Sequence, residues 1–426
     1  MRILLTSTAS FVPPRGGSTR SNRAWLDVLS SRGHTCRVVC GAAPAETHEQ
    51  VDAITAEAAS QGLLVDPARD HQEFIAGSGI HVSIYRRLGR QAGLLTDEIE
   101  AFQPGWVLVS SEDIGHSLLR EADEAARGRV VYLAHTPQFL PFGPESWSPD
   151  AQASSRVARA AAVVVIGSHM GGYIDEHLGV RARVVHPPVY GPGPFDNIAR
   201  CDQGFVLMVN PCTVKGLPIF LEVARALPHV KFAALPGWGT TAQDRAHLDA
   251  LPNVLVLEPV RRIQEVLERT RVLLMPSLWY EGFGLIVMEA QLRGIPVIAS
   301  DSGGLIEAKH SREFVLPVNP IRQYLPEFDE VHMPRPVVPA QDYQAWTAAL
   351  EKLLHDPTLY ERESGGAFEG ALDFVYGLNP QAMEELLLSL EPAQAAPRPA
   401  RTDRVERLTP AQKQLLLARL KTRVRP

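Results

Sequence analysis

The segment PSLWYEGFGLIVMEA, residues Pro276–Ala290, decides how the second half of the chain is interpreted. It leaves an apolar strand, turns through two glycines and enters a helix. Gly282 and Gly284 allow the backbone to approach a ligand closely, and the free N–H groups at a helix start favour an anion. Glu289 lies amid apolar residues, where a carboxylate needs hydrogen-bond donors that ligand hydroxyls could supply. The simpler alternative is a helix-start carboxylate beside a structural turn.

Strands alternate with helices on both sides of this segment, which predicts an α/β protein with parallel sheets covered on both faces. Two doubly wound domains that face each other would leave a cleft at the carboxyl ends of their strands. In the first half we predict strands at Arg2–Thr6, His34–Cys40, Trp106–Ser110, Val130–His135 and Ala162–Ile166, with a helix at Ser21–Ser31. In the second half we predict strands at Phe205–Val209, Lys231–Ala234, Val254–Leu257, Val272–Met275, Val297–Ala299 and Phe314–Val318, with a helix at Leu217–Ala226.

The segment His186–Cys201 is rich in proline and glycine, and such composition marks a boundary between domains. Many prolines also predict an irregular loop at Pro317–Pro339. The domains then become a first Rossmann-like domain at 1–190, a second Rossmann-like domain at 201–376, a closing helix at 377–390 and a linker with a basic amphipathic tail at 391–426.

Composition excludes several classes of protein. The 426 residues carry a net charge of −6, which argues against a nucleic-acid binder that neutralises phosphates. No apolar run is long enough to span a bilayer, and the apolar start of the chain is a buried strand and not a signal peptide. The four cysteines form neither a disulfide framework nor a CxxC pair. We therefore expect a cytoplasmic protein without a structural metal.

The order Glu281-Gly282-Phe283-Gly284-Leu285 with Glu289, followed by Gly303-Gly304-Leu305-Ile306-Glu307, closely resembles family 4 (GT4-type) glycosyltransferases. The resemblance is strongest over residues 205–310 and weaker over the first 190. It implies a GT-B fold of two facing Rossmann-like domains, with the acceptor-side domain at 1–190 and the nucleotide-sugar donor domain at 201–376. It also implies a retaining, hexosyltransferase-type enzyme that moves a sugar from a nucleotide-sugar donor to an acceptor hydroxyl.

The same resemblance assigns roles to this segment residue by residue. Glu281 matches the glutamate that faces the donor sugar hydroxyls near the reacting carbon. Phe283, Gly284 and Leu285 match the segment whose backbone amides meet the donor sugar and phosphate. Glu289 matches the glutamate that binds the ribose hydroxyls. Both carboxylates would accept hydrogen bonds from sugars, and Glu281 would also stabilise oxocarbenium-like charge.

A second match lies at Val209–Gly216, a strand end before a helix. Lys215 resembles the family's diphosphate-binding lysine, although a plain surface lysine is the alternative. The family usually has an arginine five residues earlier, where this chain has Asn210, so one diphosphate cation is missing. The arginines that could compensate are Arg15, Arg261 and Arg262.

Further positions resemble the family's donor site. His135, at the end of a predicted strand, matches the histidine near the donor sugar, and together with Glu281 and Lys215 it completes the predicted catalytic set. Gly16 and Gly17 resemble the glycine loop near the donor phosphates, and Gly237 belongs to a loop near the nucleotide base. Ser168 resembles a position near the cleft, or it only caps a helix, while Glu307 is expected to structure the helix start that follows it.

No DxD triplet is present, so we expect no metal and no cofactor beyond the nucleotide-sugar substrate. The acceptor is expected to be a small or carrier-bound molecule of glycoconjugate or secondary-metabolite biosynthesis. Two alternatives stay open: a nucleotide-sugar epimerase or hydrolase on the same fold, and a noncatalytic sugar-nucleotide scaffold.

The tail carries a separate signal. Thr409 and Pro410 suit the N-cap and first position of a helix, and Gln412 completes a capping box. Leucines then recur at helical spacing among basic residues. This short pattern resembles the segments that precede condensation domains in nonribosomal peptide synthetases. It could dock an acidic protein partner or bind an anionic membrane. The simpler alternatives are a frayed tail and a helix packed on the chain's own domain.

If residues 401–426 dock a partner, their deletion should spare activity on a small free acceptor and impair activity on a partner-bound one. The measurement is kcat/KM of the full-length and truncated chains with both acceptors. Equal loss on both acceptors would identify a structural tail, and no loss on either would remove the support for docking.

Overall fold

The computed structural model describes residues 1–11, 14, 16–41, 71–76, 79–85, 93–260, 262–311 and 313–391. The residues Met1–Pro392 form one compact unit, and everything below concerns that unit. Three predictions lie outside the described residues: the candidate cations Arg15 and Arg261, and the tail at 401–426.

Eight described strands form the first sheet, in the order β3-β4-β2-β1-β5-β6-β7-β8. The pairs are parallel except for β3 with β4, so the expectation of a wholly parallel sheet was wrong at this edge. The strands are β1 (Arg2–Ser7), β2 (Thr35–Gly41), β3 (His71–Ala76), β4 (Ile80–Tyr85), β5 (Trp106–Ser110), β6 (Val130–Ala134), β7 (Ala162–Val165) and β8 (Arg183–Val184). The helices of this half are α1 (Gly17–Ser31), α2 (Leu94–Phe102), α3 (Ser117–Ala125), α4 (Ala151–Ala158) and α5 (Ser168–Leu178).

Six described strands form the second sheet, in the order β11-β10-β9-β12-β13-β14, with every pair parallel. Continuous apolar runs make these strands, because both faces of the sheet are covered by helices. The strands are β9 (Phe205–Val209), β10 (Phe232–Leu235), β11 (Val254–Val256), β12 (Thr270–Met275), β13 (Val297–Ser300) and β14 (Val315–Leu316). The helices are α6 (Leu217–Ala226), α7 (Ala242–Asp249), α8 (Gln264–Leu267), α9 (Leu285–Gln291) and α10 (Leu305–Ala308).

The chain continues through a small two-stranded antiparallel sheet, β15 (Tyr324–Phe328) and β16 (Pro334–Pro336). The prediction of an irregular loop here was therefore wrong. Prolines are tolerated in such a sheet because both of its strands are edge strands. The remaining helices are α11 (Tyr343–His355), α12 (Pro357–Tyr376) and α13 (Ala382–Ser389).

Each sheet has one point at which the strand order reverses: between β1 and β5 in the first sheet, and between β9 and β12 in the second. Ligands of open α/β sheets bind outside the carboxyl ends of the strands at such points. The segments that follow β1, β9 and β12 contain most of the predicted site residues, and His135 and Gly237 follow the neighbouring strands β6 and β10. The fold therefore brings residues that are distant in sequence to one region between the domains.

The last helix, α13, returns to the first half of the chain and packs on α1. Its Met383 and Leu387 are buried in a core cluster that also contains Trp25 and Leu26 of α1. Glu384 accepts a hydrogen bond from Arg32, and one of its carboxylate oxygens lies 2.8 Å from Nε2 of His34. Its hydrogen bonds to His34 and Arg32 hold the pKa of Glu384 below its ordinary value.

We expect Glu384→Gln to lower the thermal midpoint at pH 7. A carboxylate with a depressed pKa stabilises the fold fully above its ordinary pKa of about 4.5, and this contribution is lost as the pH falls through the lower folded value. The difference between the Gln variant and wild type should therefore shrink below pH 4.5. Glu385→Gln is the matched control, since the neighbouring Glu385 is exposed and accepts only from Asn379 within the same segment. A midpoint difference that is absent at pH 7, or unchanged at pH 3.5, would contradict the assignment.

Candidate active site

Lys215 and Glu281 meet at the point where the strand order of the second sheet reverses. Lys215 follows β9 and Glu281 follows β12, and Nζ of Lys215 donates to Oε1 of Glu281 over 2.6 Å. Both residues are less than a tenth exposed. The same oxygen of Glu281 accepts from the hydroxyl of Ser277. The two predicted catalytic residues of this domain therefore form one buried ion pair.

Two tryptophans cover the ammonium of Lys215. The Nζ atom lies 4.2 Å from the ring centroid of Trp279 and 5.9 Å from that of Trp238. Both distances are within the range of a cation–π attraction, which is stronger where water is excluded. Trp238 also faces the first domain, because a Cβ atom at Gly16 would lie 3.4 Å from its ring. The predicted loops at Gly16 and Gly237 thus meet beside Lys215.

Asn210, in the place of the expected arginine, has a local structural role. Its backbone has a φ of 56°, a left-handed conformation that asparagine adopts more readily than most residues. Its side-chain Oδ1 accepts from the backbone N–H of Gly239 over 2.9 Å and so holds the loop that presents Trp238. Its Nδ2 is buried and has no hydrogen-bond partner among the described residues. The amide supplies a hydrogen-bond donor here and no charge.

Of the candidate compensating cations, Arg262 is the one that the structure describes. Its side chain is 75% exposed and is paired with Glu265, one turn along the chain. No contact joins Arg262 to the other predicted site residues within the described part of the chain. Its assignment as a diphosphate cation is therefore not supported by the geometry.

Gly282 has a packing role that the sequence did not show. A Cβ atom on this residue would lie 2.0 Å from the carbonyl oxygen of His135, so the loop before α9 presses directly against the end of β6. The neighbouring Phe283 is buried and packs against His186 and Phe374. Its backbone alone is therefore available to a ligand. At Leu285 the side chain reaches Gly17, where an added Cβ would lie 3.4 Å from it.

A chain of hydrogen bonds fixes the proton on His135. Glu112 can only accept, so Ser110 donates its hydroxyl proton to Glu112 and accepts from Nδ2 of Asn22 over 2.9 Å. Oδ1 of Asn22 then lies 2.9 Å from Nε2 of His135 and accepts a hydrogen bond from the N–H group there. The other ring nitrogen, Nδ1, is left unprotonated and has no partner among the described residues.

The environment of His135 keeps its imidazole neutral. Burial lowers the pKa of His135, and the charge of Glu112 opposes this effect only in part. The ring is 4% exposed and stacks on Trp25 with 6.0 Å between centroids. Nδ1 is therefore a hydrogen-bond acceptor held inside a dry site, and buried acceptors normally have a partner. A hydroxyl of a bound sugar fits this requirement.

Glu289 is buried one turn inside α9, and Arg20 of α1 occupies both of its oxygens. Nη1 of Arg20 donates to Oε2 over 3.1 Å, and Nη2 donates to Oε1. The predicted ribose ligand is thus paired with an arginine of the other domain. Sequence reasoning missed Arg20, whose partner lies in the other domain. It also missed Asn22 and Glu112, because their chain of hydrogen bonds to His135 joins segments of the first domain that meet only in the folded sheet.

Glu307 also connects the domains, which differs from the expectation that it serves its own helix start. Its two carboxylate oxygens accept from the backbone N–H groups of Ser168 and His169, over 2.9 and 3.1 Å. These are the first residues of α5, so a carboxylate of the second domain caps a helix of the first. Ser168 lies at the interdomain contact through its backbone.

A cavity of about 600 Å³ opens beside Tyr280, the residue before Glu281. Its walls come mostly from α5 and the loop after β6, and include Glu145, Ser168, Tyr173 and Glu176. Within the described residues, no group of three or more His, Cys, Asp and Glu side chains is arranged to hold a metal ion. No described helix is long and apolar enough to cross a membrane.

Comparison with known proteins shows which families and folds this chain is similar to. Residues 202–356 match the family model described as Glycosyl transferases group 1. No curated protein matches the chain in sequence. Among solved structures, sucrose-phosphate synthase from Thermosynechococcus elongatus is 16% identical with a TM-score of 0.61, over 91% of this chain and 96% of that one.

Two other solved structures are similarly related. HepE of Anabaena, in complex with UDP and glucose, is 15% identical with a TM-score of 0.62, over 91% of this chain and 99% of that one. WaaG, a glycosyltransferase involved in lipopolysaccharide biosynthesis, is 13% identical with a TM-score of 0.58, over 91% of this chain and all of that one. These structures share the two-domain GT-B fold with the present chain. Residues 202–356 therefore match the model of group 1 glycosyl transferases, and the chain has the two-domain GT-B fold of these solved structures.

Proposed function

We propose that the chain moves a sugar from a nucleotide-sugar donor to an acceptor hydroxyl, with retention at the anomeric carbon and without a metal ion. The observation that carries this proposal is the Lys215–Glu281 pair at the reversal point of the second sheet. A cation and a carboxylate there suit the two ends of a glycosyl phosphate: the departing phosphate and the sugar ring. The structures of HepE with UDP and glucose, and of TarM with UDP, support a nucleoside diphosphate as the leaving group.

The charge that develops on the leaving group is met by Lys215 and by the backbone N–H groups at the start of α9. The ammonium of Lys215 is buried and already positioned, so little reorganisation is needed in the transition state. Glu281 accepts hydrogen bonds from the sugar and stabilises positive charge near the reacting carbon. In a front-face substitution the acceptor attacks on the side from which the phosphate leaves, and a phosphate oxygen takes the acceptor's proton. No enzymic nucleophile is required.

His135 orients the donor sugar in this scheme. Its Nδ1 is an acceptor whose proton state is fixed by Asn22, so it can bind a sugar hydroxyl but cannot donate to one. Gly282 keeps the end of β6 in contact with the loop that holds Glu281. The two residues that contact the sugar are therefore held at a set distance by the backbone between them.

We place the acceptor in the cavity beside Tyr280, the residue that precedes Glu281 in the chain. Two carboxylates and two tyrosines among its walls give hydrogen-bonding groups suited to a polyhydroxylated acceptor. Closure of the domains excludes water, which is the competing acceptor. We place the reaction in the cytoplasm, in glycoconjugate or secondary-metabolite biosynthesis; the four free cysteines support a reducing compartment.

A thermal-shift screen with UDP-, GDP- and dTDP-sugars tests the donor class, because a bound ligand raises apparent stability by mass action. Product analysis with and without an acceptor panel then tests transfer, and NMR of the product tests retention. Sugar release or isomerisation that needs no acceptor would identify a hydrolase or epimerase. Tight nucleotide binding with no turnover on any acceptor would identify a scaffold.

Glu281→Ala should mostly lower kcat, whereas Glu289→Ala should mainly raise the Kd for the nucleotide. Each change removes hydrogen bonds to a buried ligand hydroxyl, worth about 1–3 kcal/mol, or roughly 5- to 150-fold. Steady-state kinetics and calorimetric titration measure the two effects. Glu265→Ala is the control, because this exposed carboxylate of the same domain pairs only with Arg262. Wild-type kinetics in both site variants would show that the site is misassigned.

Activity should survive EDTA, since Lys215 and the helix-start amides supply the positive potential that a metal would otherwise provide. The measurement is initial rate after chelation and dialysis, with and without added magnesium. Complete loss of activity that magnesium restores would overturn the proposed electrostatics.

A further inference from the structure

Arg20 binds the carboxylate of Glu289, which the proposed function assigns to the ribose hydroxyls. Two of its N–H groups bind the two oxygens of Glu289, although the residues are 269 positions apart and belong to different domains. Glu289 is 7% exposed in its side chain, and Arg20 is 33% exposed. The guanidinium thus covers a buried carboxylate while a third of its own side chain stays exposed.

The position of Arg20 on its helix is unusual. Its backbone N–H bonds to the carbonyl of Gly16, so it lies in the first turn of α1. The N-terminus of a helix disfavours a cation, because the partial positive charge of the helix dipole lies there. Arg20 is therefore held there by its partner and not by its own helix. The start of α1 in turn touches Leu285, the first residue of α9, through Gly17.

The charges of the donor-free site cancel in pairs. Lys215 is paired with Glu281, and Arg20 is paired with Glu289. Within the described residues, these are the two basic side chains that contact the predicted site carboxylates. A nucleoside diphosphate brings more negative charge than Lys215 alone can match, and Asn210 offers only an amide. A second cation would bring the charges closer to balance, and within the described residues Arg20 is the other basic side chain that contacts a predicted site carboxylate.

The groups around Arg20 keep it charged and leave it free to exchange partners. Burial lowers the pKa of Arg20, but the charge and hydrogen bonds of Glu289 more than offset this and leave it raised. The other group that faces it, Tyr190, is buried, and burial raises the pKa of Tyr190 so that it is neutral. Ribose hydroxyls that donate to Glu289 would satisfy the carboxylate and release the guanidinium.

We propose that Arg20 is a diphosphate-binding residue: it neutralises Glu289 in the empty enzyme and transfers to the donor's phosphates when ribose hydroxyls take its place. This inference rests on the proposed function. Arginine suits both partners, because its planar fork binds a carboxylate or a phosphate through two parallel hydrogen bonds. Donor binding thereby draws a residue of the first domain onto a ligand held by the second.

The test compares UDP with uridine on wild type and on Arg20→Gln by calorimetric titration of the full-length chain. If the screen selects guanine or thymine, the corresponding diphosphate and nucleoside are used. We expect Arg20→Gln to weaken UDP binding by about 10- to 100-fold, as for loss of a charge-assisted pair. Uridine should bind as well as before or more tightly, because Glu289 no longer has a competing partner.

The control is Arg23→Gln, which removes an arginine from the same helix whose carboxylate partner, Asp27, is also on α1. It should leave both affinities unchanged. A second comparison repeats Arg20→Gln in a Glu289→Gln background. If Arg20 contacts the phosphates, Arg20→Gln should lower the ratio of UDP affinity to uridine affinity. The factor should be the same in the wild-type background and in the Glu289→Gln background.

Several results would overturn the inference. Equal loss of UDP and uridine binding in Arg20→Gln would mean that Arg20 only orients Glu289. Unchanged binding of both, or a ratio that no longer responds to Arg20 in the Glu289→Gln background, would exclude phosphate contact. If wild type binds none of the nucleoside diphosphates, the proposed function fails first, and this outcome is distinct from the others.

Discussion

The ion pair between Lys215 and Glu281 is the interaction on which the rest of the site depends. Each charge is buried, and a buried charge without a partner costs several kcal/mol. The pair can form only where β9 and β12 lie side by side, because its members are 66 residues apart and come from the ends of these strands. The two tryptophans that cover the ammonium, and the asparagine that holds one of them, surround this pair.

The first domain contributes to the site through a close backbone contact and a chain of hydrogen bonds more than through charge. The carbonyl of His135 lies where any side chain at Gly282 would collide. The imidazole is oriented by Asn22, Ser110 and ultimately Glu112. A carboxylate two hydrogen-bonded residues away thus decides which ring nitrogen faces the cleft. Two carboxylates of the second domain accept hydrogen bonds from the first. Glu307 accepts from the backbone N–H groups at the start of α5, and Glu289 accepts from Arg20.

Much of the fold could be predicted from the sequence, because buried parallel strands are continuous apolar runs. The strands Trp106–Ser110 and Phe205–Val209 have the predicted bounds. The start of α1 was placed four residues too late, since its first turn is polar and faces the cleft instead of the core. Arg20 was missed because no local pattern shows a partner in another domain. A cation in the first turn of a helix, where the dipole opposes it, was the one available signal.

The return of α13 to the first domain has a mechanical consequence. The polypeptide crosses from the first domain to the second after β8, and it crosses back between α12 and α13. There Glu384 of α13 is hydrogen-bonded to Arg32 and His34 of the first domain. A single linker would let one domain swivel in any direction relative to the other. Two crossings restrict the motion to a rotation about the line that joins them. If the domains open and close, the motion then follows the same arc each time, and the cleft residues return to the same register.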